Sequence, residues 1–400
     1  MKTVEMSTLD PAAYVVALAH LPGIGPASLY RLVTEGEPLA VWEGVLGGRI
    51  TRPPSRRQPT GGQQLSLATS EVARQRVVTG RGTFADRSPQ SWARAAANLD
   101  PRRLWRRCQD LGINVTWPGC STYPAKLRTD PEPPGTLFWR GRLDHLDRVC
   151  VAVVGTRRCT PDGRATALLL GRDLSEAGVC VVSGLALGID GAAHAGALEA
   201  SKSAPVGVVA SGVDLPYPRQ HAALWARVTQ AGSILSETPP GSPAQAWRFP
   251  ARNRIIAGLA DLVVVVESHA AGGAMLTADA AIARGVEVRA VPGPVRSPAS
   301  AGTNQLLFDG PGPVRHAGDV LDALGLIRPA YSGPPGPGSA GPLAYEKLDG
   351  GVLDAVTYRP EAIGRIVART GLDLGRVARE LDRLEGAGAV SRSGDWWVRT

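Results

Sequence analysis

The sequence predicts a doubly wound parallel α/β fold for the middle of the chain, between about residues 149 and 309. Short valine-rich runs alternate there with stretches of helical periodicity, which is typical of a parallel sheet with helices on both faces. The runs are continuously apolar rather than alternating with polar residues, as expected for strands covered on both faces. We therefore predict a Rossmann-like sheet, within a domain over residues 99–328.

Six strands and four helices make up this predicted core. The strands are expected at residues 149–154, 179–182, 206–210, 233–235, 262–267 and 286–291. The helices are expected at residues 163–177, 189–200, 221–230 and 274–284. Upstream, Asp100 and Pro101 are typical of an N-cap and a first helical residue. A helix is therefore expected from Pro101 to Gly112, followed by a short strand at residues 113–117.

The N-terminal segment predicts two short helices over residues 9–34, around the string Leu21-Pro22-Gly23-Ile24-Gly25. Such an apolar-Pro-Gly-x-Gly turn resembles a helix-hairpin-helix, in which backbone N–H groups of the turn contact a nucleic-acid phosphate. A plain helical turn is the alternative. We assign residues 1–45 to a helical region of the helix-hairpin-helix or SAM-like kind.

The C-terminal segment predicts a separate small domain. Residues 331–342 are rich in glycine and proline and lie in a linker assigned to residues 329–343. Residues 344–400 contain helical patterns at 361–369 and 374–385 and a hairpin of strands 389–391 and 396–398, turning at Ser393-Gly394-Asp395. Two helices followed by a hairpin indicate a winged-helix domain, which binds either duplex DNA or partner proteins.

The positive charge is concentrated in one segment. The formal net charge is +8, and residues 41–110 alone contain thirteen arginines against five acidic residues. A basic surface favours a polyanionic partner, and a solvated basic insert is an equal alternative. We assign residues 46–98 to a basic linker or insert, because residues 50–64 are rich in Pro, Gly, Arg and Gln.

Cysteine usage and apolar runs exclude several classes of protein. Five cysteines without a CxxC spacing argue against a zinc site and against a disulfide framework, and they favour a reducing cytoplasm. Cys150 and Cys180 lie in strand patterns and are expected to be buried. No stretch approaches the roughly 20 apolar residues of a membrane helix. We expect a cytoplasmic protein without membrane contact, metal or cofactor.

Small residues follow four of the predicted strands, at the edge where an open parallel sheet binds ligands. These segments are Gly155-Thr156-Arg157-Arg158, Ser183-Gly184, Ser211-Gly212-Val213-Asp214 and Ala271-Gly272-Gly273-Ala274. Glycine lets a ligand approach the backbone closely, and helix N-termini attract anions. The four loops therefore predict a phosphate site. The alternative is that these glycines serve only tight strand–helix turns.

Common nucleotide fingerprints are missing from the sequence. The first strand is not followed by GxGxxG, and GxxxxGK[ST] does not occur, so NAD binding and a P-loop ATPase are disfavoured. Asp190 and His194 lie four residues apart and could share one helix face. We expect Asp190 to cap the helix and His194 to pack, because no third metal ligand stands at a matching spacing.

The string Trp247-Arg248-Phe249-Pro250-Ala251-Arg252-Asn253-Arg254 suits a nucleic-acid strand. Guanidinium groups pair with phosphates, and aromatic rings stack on bases at ~1–3 kcal/mol each. A surface loop with one buried aromatic residue is the alternative. Because the string precedes the fifth strand, it could lie near the glycine loops.

These residues resemble the DprA (Smf) family of DNA-processing proteins. Matching strings occur in the family's order between Tyr123 and about Gly310: YPAKL, VAVVGTRR, VVSGLALGIDGAAHAGAL, SGVDLPYP, ILSETPPG, FPARNRIIAGL, GGAMLTADAA, VPGP and GTNQL. The resemblance implies a protein that binds single-stranded DNA, protects it and helps to load the RecA recombinase onto it in transformation or recombination. It also implies a homodimer formed through the Rossmann-like domain, and no enzymatic activity.

Carried over residue by residue, the resemblance implies ten DNA contacts: Arg157, Ser183, Gly184, Gly212, Arg219, Arg252, Asn253, Arg254, Gly273 and Thr277. Arg219 stands where the family commonly has lysine, and His221 where asparagine is frequent. Ala271 and Ala274 replace the family's usual hydroxyl residues in the fifth loop, which would leave backbone N–H groups as the phosphate donors there.

Two other functions remain open on sequence grounds. Nucleotide phosphoribohydrolases have a similar sheet and use a Gly-Gly-x-Gly-Thr loop with a nearby glutamate and arginine. Here Gly272-Gly273 is followed by Ala-Met-Leu-Thr, and Glu237 and Glu267 are the candidate acids. The second alternative is a structural or regulatory adaptor, in which the winged helix binds a partner and the glycine-lined edge has no ligand.

Overall fold

The computed structural model describes residues 9–51, 90–200, 202–326, 351–357, 361–386, 388–393 and 396–399. The chain divides into two compact units, residues 1–329 and 330–400. Most of the predicted basic insert and the whole predicted linker at 331–342 lie outside the described residues.

The larger unit is built on a nine-stranded mixed sheet. Its strands are β1 (Asn114–Thr116), β2 (Leu137–Gly141), β3 (Cys150–Val154), β4 (Cys180–Ser183), β5 (Val206–Val208), β6 (Ser233–Ser236), β7 (Leu262–Val265), β8 (Glu287–Ala290) and β9 (Gly312–Pro313). They lie in the spatial order β1-β2-β6-β5-β4-β3-β7-β8-β9. β3 to β9 pair in parallel, whereas β1 pairs antiparallel with β2, and β2 antiparallel with β6.

Helices surround this sheet. They are α1 (Pro11–Ala19), α2 (Pro26–Thr34), α3 (Pro38–Leu46), α4 (Ser91–Ala96), α5 (Pro101–Asp110), α6 (Ala125–Arg128), α7 (Pro161–Glu176), α8 (Ile189–Ala197), α9 (Ala222–Ala231), α10 (Arg248–Leu259), α11 (Gly273–Ile282), α12 (Ala301–Asp309) and α13 (Ala317–Ala323). Short 3₁₀ helices occur at Asp144–Asp147, Arg219–His221 and Pro298–Ser300.

Successive residues of β3 enter opposite cores. Val151 and Val153 belong to the core formed with α7, α8 and α13, whereas Ala152 and Val154 belong to the core formed with α10 and α11. Because neighbouring side chains of a strand point to opposite faces, two covered faces require an unbroken apolar run. The prediction of a Rossmann-like α/β sheet covered on both faces is therefore confirmed.

Predicted and observed elements of the sheet differ mainly at their ends. The strand expected at 262–267 ends at Val265. Beyond it, the Glu267 carboxylate accepts hydrogen bonds from the Thr160 N–H and hydroxyl at 2.9 and 2.5 Å. The helix expected from Pro101 is present, and the Asp100 carboxylate accepts from Arg102 N–H at 3.0 Å. Cys150 and Cys180 are buried and free, as expected.

The predicted helix cap at Asp190 is wrong. Helix α8 begins at Ile189 with Gly188 as its N-cap, so Asp190 is the second residue of the helix and not its cap. Gly188 has φ +79°, a conformation that glycine adopts without strain. The helix therefore begins two residues earlier than a side-chain cap at Asp190 would require. His194 is fully buried, as expected.

The N-terminal helices share a core with one flank of the sheet. The predicted pair of short helices is present, as α1 and α2 around the turn at residues 20–25. Tyr14 and Leu18 of α1 belong to the same buried cluster as Val209, Trp225 and Ile234 from the β5–β6 flank. The N-terminal segment is thus part of the larger compact unit.

The smaller unit contains helices α14 (Val352–Ala355), α15 (Ile363–Thr370) and α16 (Leu374–Gly386). Its three-stranded sheet has the order β10 (Glu361–Ala362), β12 (Trp396–Arg399), β11 (Val390–Ser393). The helix expected from residue 361 begins two residues later, because Glu361 and Ala362 pair with β12. Gly394 and Asp395 of the expected turn lie outside the described residues. The winged-helix assignment stays a prediction.

Candidate nucleic-acid interface

The strand order places a topological switch point between β3 and β7. From β3 the chain builds β4, β5 and β6 on one side, and then β7, β8 and β9 on the other. Loops diverge at such a point and leave a crevice at the carboxyl ends of the strands. A cleft of about 610 Å³ lies there, lined by the loops after β3 and β7 and the first turns of α10 and α11.

Several predicted contact residues come together in this cleft. Arg157, Arg252, Asn253, Gly273 and Thr277 line it. Gly184 lines an adjoining pocket of about 70 Å³, which also shares Arg157 and Arg252 with the larger cleft. We call the two together the switch-point groove. Six of the ten residues predicted from the sequence therefore lie at one site.

An arginine and two aromatic rings, tilted by 48° to each other, form a cluster at the mouth of the switch-point groove. The Arg157 guanidinium carbon lies 4.6 Å from the centroid of the Phe249 ring, and the Tyr217 ring centroid lies 5.8 Å from that of Phe249. Tyr217 is 47% exposed. Both rings lie in strings quoted from the sequence, Phe249 in the arginine-rich string and Tyr217 in SGVDLPYP, but the sequence does not predict their contact.

Arg252 lies beneath the groove, with its guanidinium turned inward. Its Nη1 donates to the carbonyls of Gly184 and Val208 at 2.7 and 2.6 Å. Burial lowers the pKa of Arg252 to about 10, and the nearby Asp190 carboxylate opposes that shift. A Cβ at position 184 would overlap the guanidinium, so Gly184 is required by this buried arginine. Arg252 thus contributes positive potential and rigidity more than a direct phosphate contact.

Asn253 connects this arginine to the N-terminus of α11. Its Oδ1 accepts from Arg252 Nε at 3.1 Å, and its Nδ2 donates to the Gly273 carbonyl at 3.3 Å. Gly272 is the N-cap of α11, so no capping side chain covers the first N–H groups of that helix. Uncovered N–H groups at a helix start attract anions. These N–H groups belong to the same loop as Ala271 and Ala274, whose side chains offer no hydroxyl donor.

The remaining predicted contacts lie elsewhere, and three of them have structural roles. Ser183 is buried and donates to the Val153 carbonyl at 2.6 Å. Arg254 Nη2 donates to both oxygens of Glu237, at 2.8 and 2.7 Å. Gly212 N–H donates to the Ser242 carbonyl at 2.9 Å. The donors of these three residues are thus used within the protein, and their direct DNA contacts stay predictions.

Arg219 and Thr277 complete the predicted set. Arg219 is exposed on the 3₁₀ helix Arg219–His221 and does not line the groove. Thr277 lines the groove but is only 2% exposed, so it shapes the floor.

The two candidate acids of a phosphoribohydrolase are engaged in structural contacts. Glu237 is paired with Arg254, and Glu267 is held by Thr160 at the start of α7. Burial raises the pKa of Asp190, and Arg252 opposes the rise. Among the described residues, no group of three His, Cys, Asp or Glu side chains could hold a metal ion. Likewise, no described helix is long and apolar enough to cross a membrane.

Comparison with known proteins identifies the family. The model of the family described as DNA recombination-mediator protein A matches residues 114–325. The chain belongs to the DNA recombination-mediator protein A family. The resemblance to DprA seen in the sequence is thereby confirmed. The matched region contains every residue of the switch-point groove, so a DNA-processing role in recombination follows for this chain.

Individual members of the DNA recombination-mediator protein A family are similar to this chain over much of its length. Protein Smf of Synechocystis is 32% identical over 413 aligned residues, covering 95% of this chain and 96% of that protein. A relative from Mycobacterium tuberculosis is 43% identical over 278 residues, which cover 68% of this chain and 71% of that protein. The X-ray structure of DNA processing protein A from Streptococcus pneumoniae has a TM-score of 0.55 at 33% identity, covering 59% of this chain and 82% of that chain.

Proposed function

We propose that the switch-point groove binds single-stranded DNA, and that the protein protects this DNA and assists loading of the RecA recombinase. The observation that carries the proposal is the cluster of Arg157, Phe249 and Tyr217 at the groove mouth. A guanidinium beside aromatic rings offers pairing to a phosphate and stacking to the base attached to it. Only unpaired bases present a free face to such a ring, which favours a single strand over a duplex.

The floor of the groove supports the same ligand. The start of α11 offers backbone N–H groups to a phosphate, and Arg252 adds buried positive charge below. The groove contains one acidic residue, Asp190, and it faces that same arginine. The electrostatics are therefore those of an anion site.

A salt titration tests the proposal. Binding of fluorescent oligo-dT and of a duplex of equal length is measured by anisotropy from low to moderate salt. We expect tighter binding of the single strand than of the duplex. The slope of log affinity against log salt concentration should correspond to several phosphate contacts, at about 0.7 per contact. Arg157→Ala is expected to weaken binding, whereas Arg172→Ala, which removes an arginine paired with Asp173 on α7, serves as the matched control. Equal affinity for both nucleic acids, or no salt dependence, would overturn the proposal.

We extend the proposal to a cytoplasmic homodimer that acts with RecA, on the strength of the family resemblance. Sedimentation velocity at micromolar concentration tests the dimer, for which a monomer at all concentrations is the contrary result. RecA filament formation on a single strand already covered by a binding protein tests the loading role. The wild-type protein is expected to accelerate filament formation, and Arg157→Ala to do so less.

A further inference from the structure

A second cleft lies beside the switch-point groove, across the first turns of α10. It has a volume of about 620 Å³ and is lined by residues 19–26 at the turn between α1 and α2, by the loop after β6, and by the start of α10. We call it the hairpin cleft. Its volume falls in the range of about 300–1,000 Å³ that ligand pockets occupy.

Hydrogen bonds hold the walls of the hairpin cleft in place. His20 Nδ1 lies 2.8 Å from the Val16 carbonyl oxygen, and its Nε2 lies 3.3 Å from that of Pro240 in the loop after β6. Trp92 Nε1 donates to the Pro22 carbonyl at 3.1 Å. The Trp92 bond holds the turn against α4. The His20 ring, which when neutral donates to only one of its two carbonyl neighbours, lies between α1 and the loop after β6. A preformed cleft binds without a large ordering cost.

An exposed tryptophan forms one rim of the hairpin cleft. Trp247 is 51% exposed, and its Nε1 donates to Gln245 Oε1 at 2.7 Å. The Arg248 guanidinium carbon lies 5.1 Å from the centroid of the Trp247 ring, while Arg248 Nη1 donates to the Pro243 carbonyl at 2.7 Å. Arg248 and Trp247 thus form a second arginine–ring pair, like that of Arg157 and Phe249. Their hydrogen bonds hold this pair in position.

The charge of the hairpin cleft suits the same polymer. Its acidic residue, Glu237, accepts from Arg254 with both carboxylate oxygens, so its charge is compensated. The residues of the turn that line the cleft include Gly23 and Gly25, which leave the backbone open to close approach.

The start of α10 connects the two clefts. Trp247 and Arg248 line the hairpin cleft, Phe249 and Pro250 line the switch-point groove, and Arg252 lines both. Trp247 and Phe249 are two residues apart at the start of α10, and each lines its own cleft. A strand leaving Phe249 therefore crosses the start of α10 to reach the Trp247 ring.

We propose that the hairpin cleft binds the next unpaired nucleotides of the DNA strand held in the switch-point groove. Trp247 stacks on a base, while Arg248 and the backbone of the α1–α2 turn contact the phosphates. This inference rests on the proposed single-strand function of the groove. The arginine–ring pairs on both sides of α10, and the shared Arg252, favour a continuous strand over a separate small ligand.

A length series tests this site separately from the groove. Affinities are measured for oligo-dT lengthened stepwise from about 4 to 16 nucleotides, the range of small single-strand sites. Wild-type affinity is expected to rise in a step once the strand reaches the hairpin cleft. Trp247→Ala should remove this step, a loss of about tenfold for the long strands, and leave the shortest binding strand unaffected. Trp247→Phe keeps a ring and should retain most of the step.

Two variants at the turn that differ in charge give a second test. Gly25 is the N-cap of α2 in an extended conformation, and a Cβ there meets no atom of the described residues within 4 Å. Gly25→Asp and Gly25→Asn both fit and both favour the cap. They differ only in charge. Gly25→Asp should weaken long strands by about tenfold and short strands little. Gly25→Asn adds the same bulk and cap without the charge, so it should weaken long strands clearly less than Gly25→Asp, and equal losses for the two variants would contradict a phosphate at this turn.

A direct readout locates the contact. Iododeoxyuridine placed at successive positions of a long strand should crosslink to Trp247 at positions beyond those that crosslink at the groove. A Trp247→Ala variant that keeps the length step, or that weakens short and long strands equally, overturns the hairpin cleft as a site. If instead no oligonucleotide of any length binds the wild type, the function proposed for the groove itself has failed.

Discussion

The guanidinium carbon of Arg157 lies 4.6 Å from the centroid of the Phe249 ring. Arg157 comes from the loop after the first parallel strand, and Phe249 from the first turn of α10, almost a hundred residues later. The contact joins the two sides of the switch-point groove. The contact also places the guanidinium, which can pair with a phosphate, directly beside the ring, which can stack on a base.

Removal of the Phe249 ring should weaken single-strand binding. Phe249→Ala is expected to lower oligo-dT affinity about tenfold or more, because base–aromatic stacking contributes ~1–3 kcal/mol per base. Phe249→Tyr keeps the ring and should bind nearly as well as wild type. Anisotropy titrations at fixed salt measure the effect, and an unchanged affinity of Phe249→Ala would contradict the stacking role.

The salt dependence of binding should distinguish Arg157 from Arg254. Arg157 is exposed at the groove, so Arg157→Ala should reduce the log–log salt slope by about 0.7. Arg254 is paired with Glu237, and the two side chains are 10% and 13% exposed. Arg254→Gln should leave the slope unchanged and lower the free energy of unfolding, by up to about 3–5 kcal/mol as for other buried pairs.

A second variant keeps that comparison interpretable. Glu237→Gln combined with Arg254→Gln leaves no unpaired charge and should recover stability in a urea titration. If the double variant binds with a reduced salt slope, Arg254 contacts phosphate after all.

Two glycine-to-alanine changes should have opposite consequences. A Cβ at Gly184 overlaps the Arg252 guanidinium and the Asp190 carboxylate, so Gly184→Ala should destabilise the fold by roughly 1–3 kcal/mol. No atom of the described residues lies within 4 Å of a Cβ at Gly273. Gly273→Ala should therefore keep the wild-type melting temperature and weaken single-strand binding by obstructing the start of α11. Calorimetry and anisotropy on both variants measure this, and equal effects of the two would refute it.

His194 should make stability depend on pH. Burial lowers the pKa of His194 from 6.5 to about 4, so the unfolded chain binds a proton that the folded chain does not. The stabilisation is fully present above pH 6.5 and is lost as the pH falls towards 4, with about 2 kcal/mol lost at pH 5. His194→Leu cannot be protonated. Urea unfolding at pH 7.5 and 5 should show a smaller drop for this variant, and identical drops would exclude the effect.

The sheet and the position of the groove were predictable from the sequence, because both depend on local pattern. Runs of valine between helical stretches indicate buried parallel strands, and glycines after those strands indicate where the ligand edge lies. Arg157, Asn253 and Gly273 were found in this way.

The direction of each side chain was not predictable in the same way. Arg252 and Arg254 lie in one arginine-rich string, yet both guanidiniums turn inward to partners far along the chain, Gly184 and Glu237. These partners are set by the packing of α10 against the sheet, which a single sequence does not encode locally. Asp190 was misassigned for the same reason, since the turn at Gly188 determines where α8 begins.

One buried cluster determines whether the N-terminal segment can be removed or exchanged. It contains Tyr14, Leu18, Val209, Trp225 and Ile234. A fragment beginning at residue 99 would leave the apolar side chains of the β5–β6 flank without cover, and such patches promote aggregation. We therefore expect an N-terminal segment taken from another chain to cover this flank only where its apolar side chains fit those of Val209, Trp225 and Ile234.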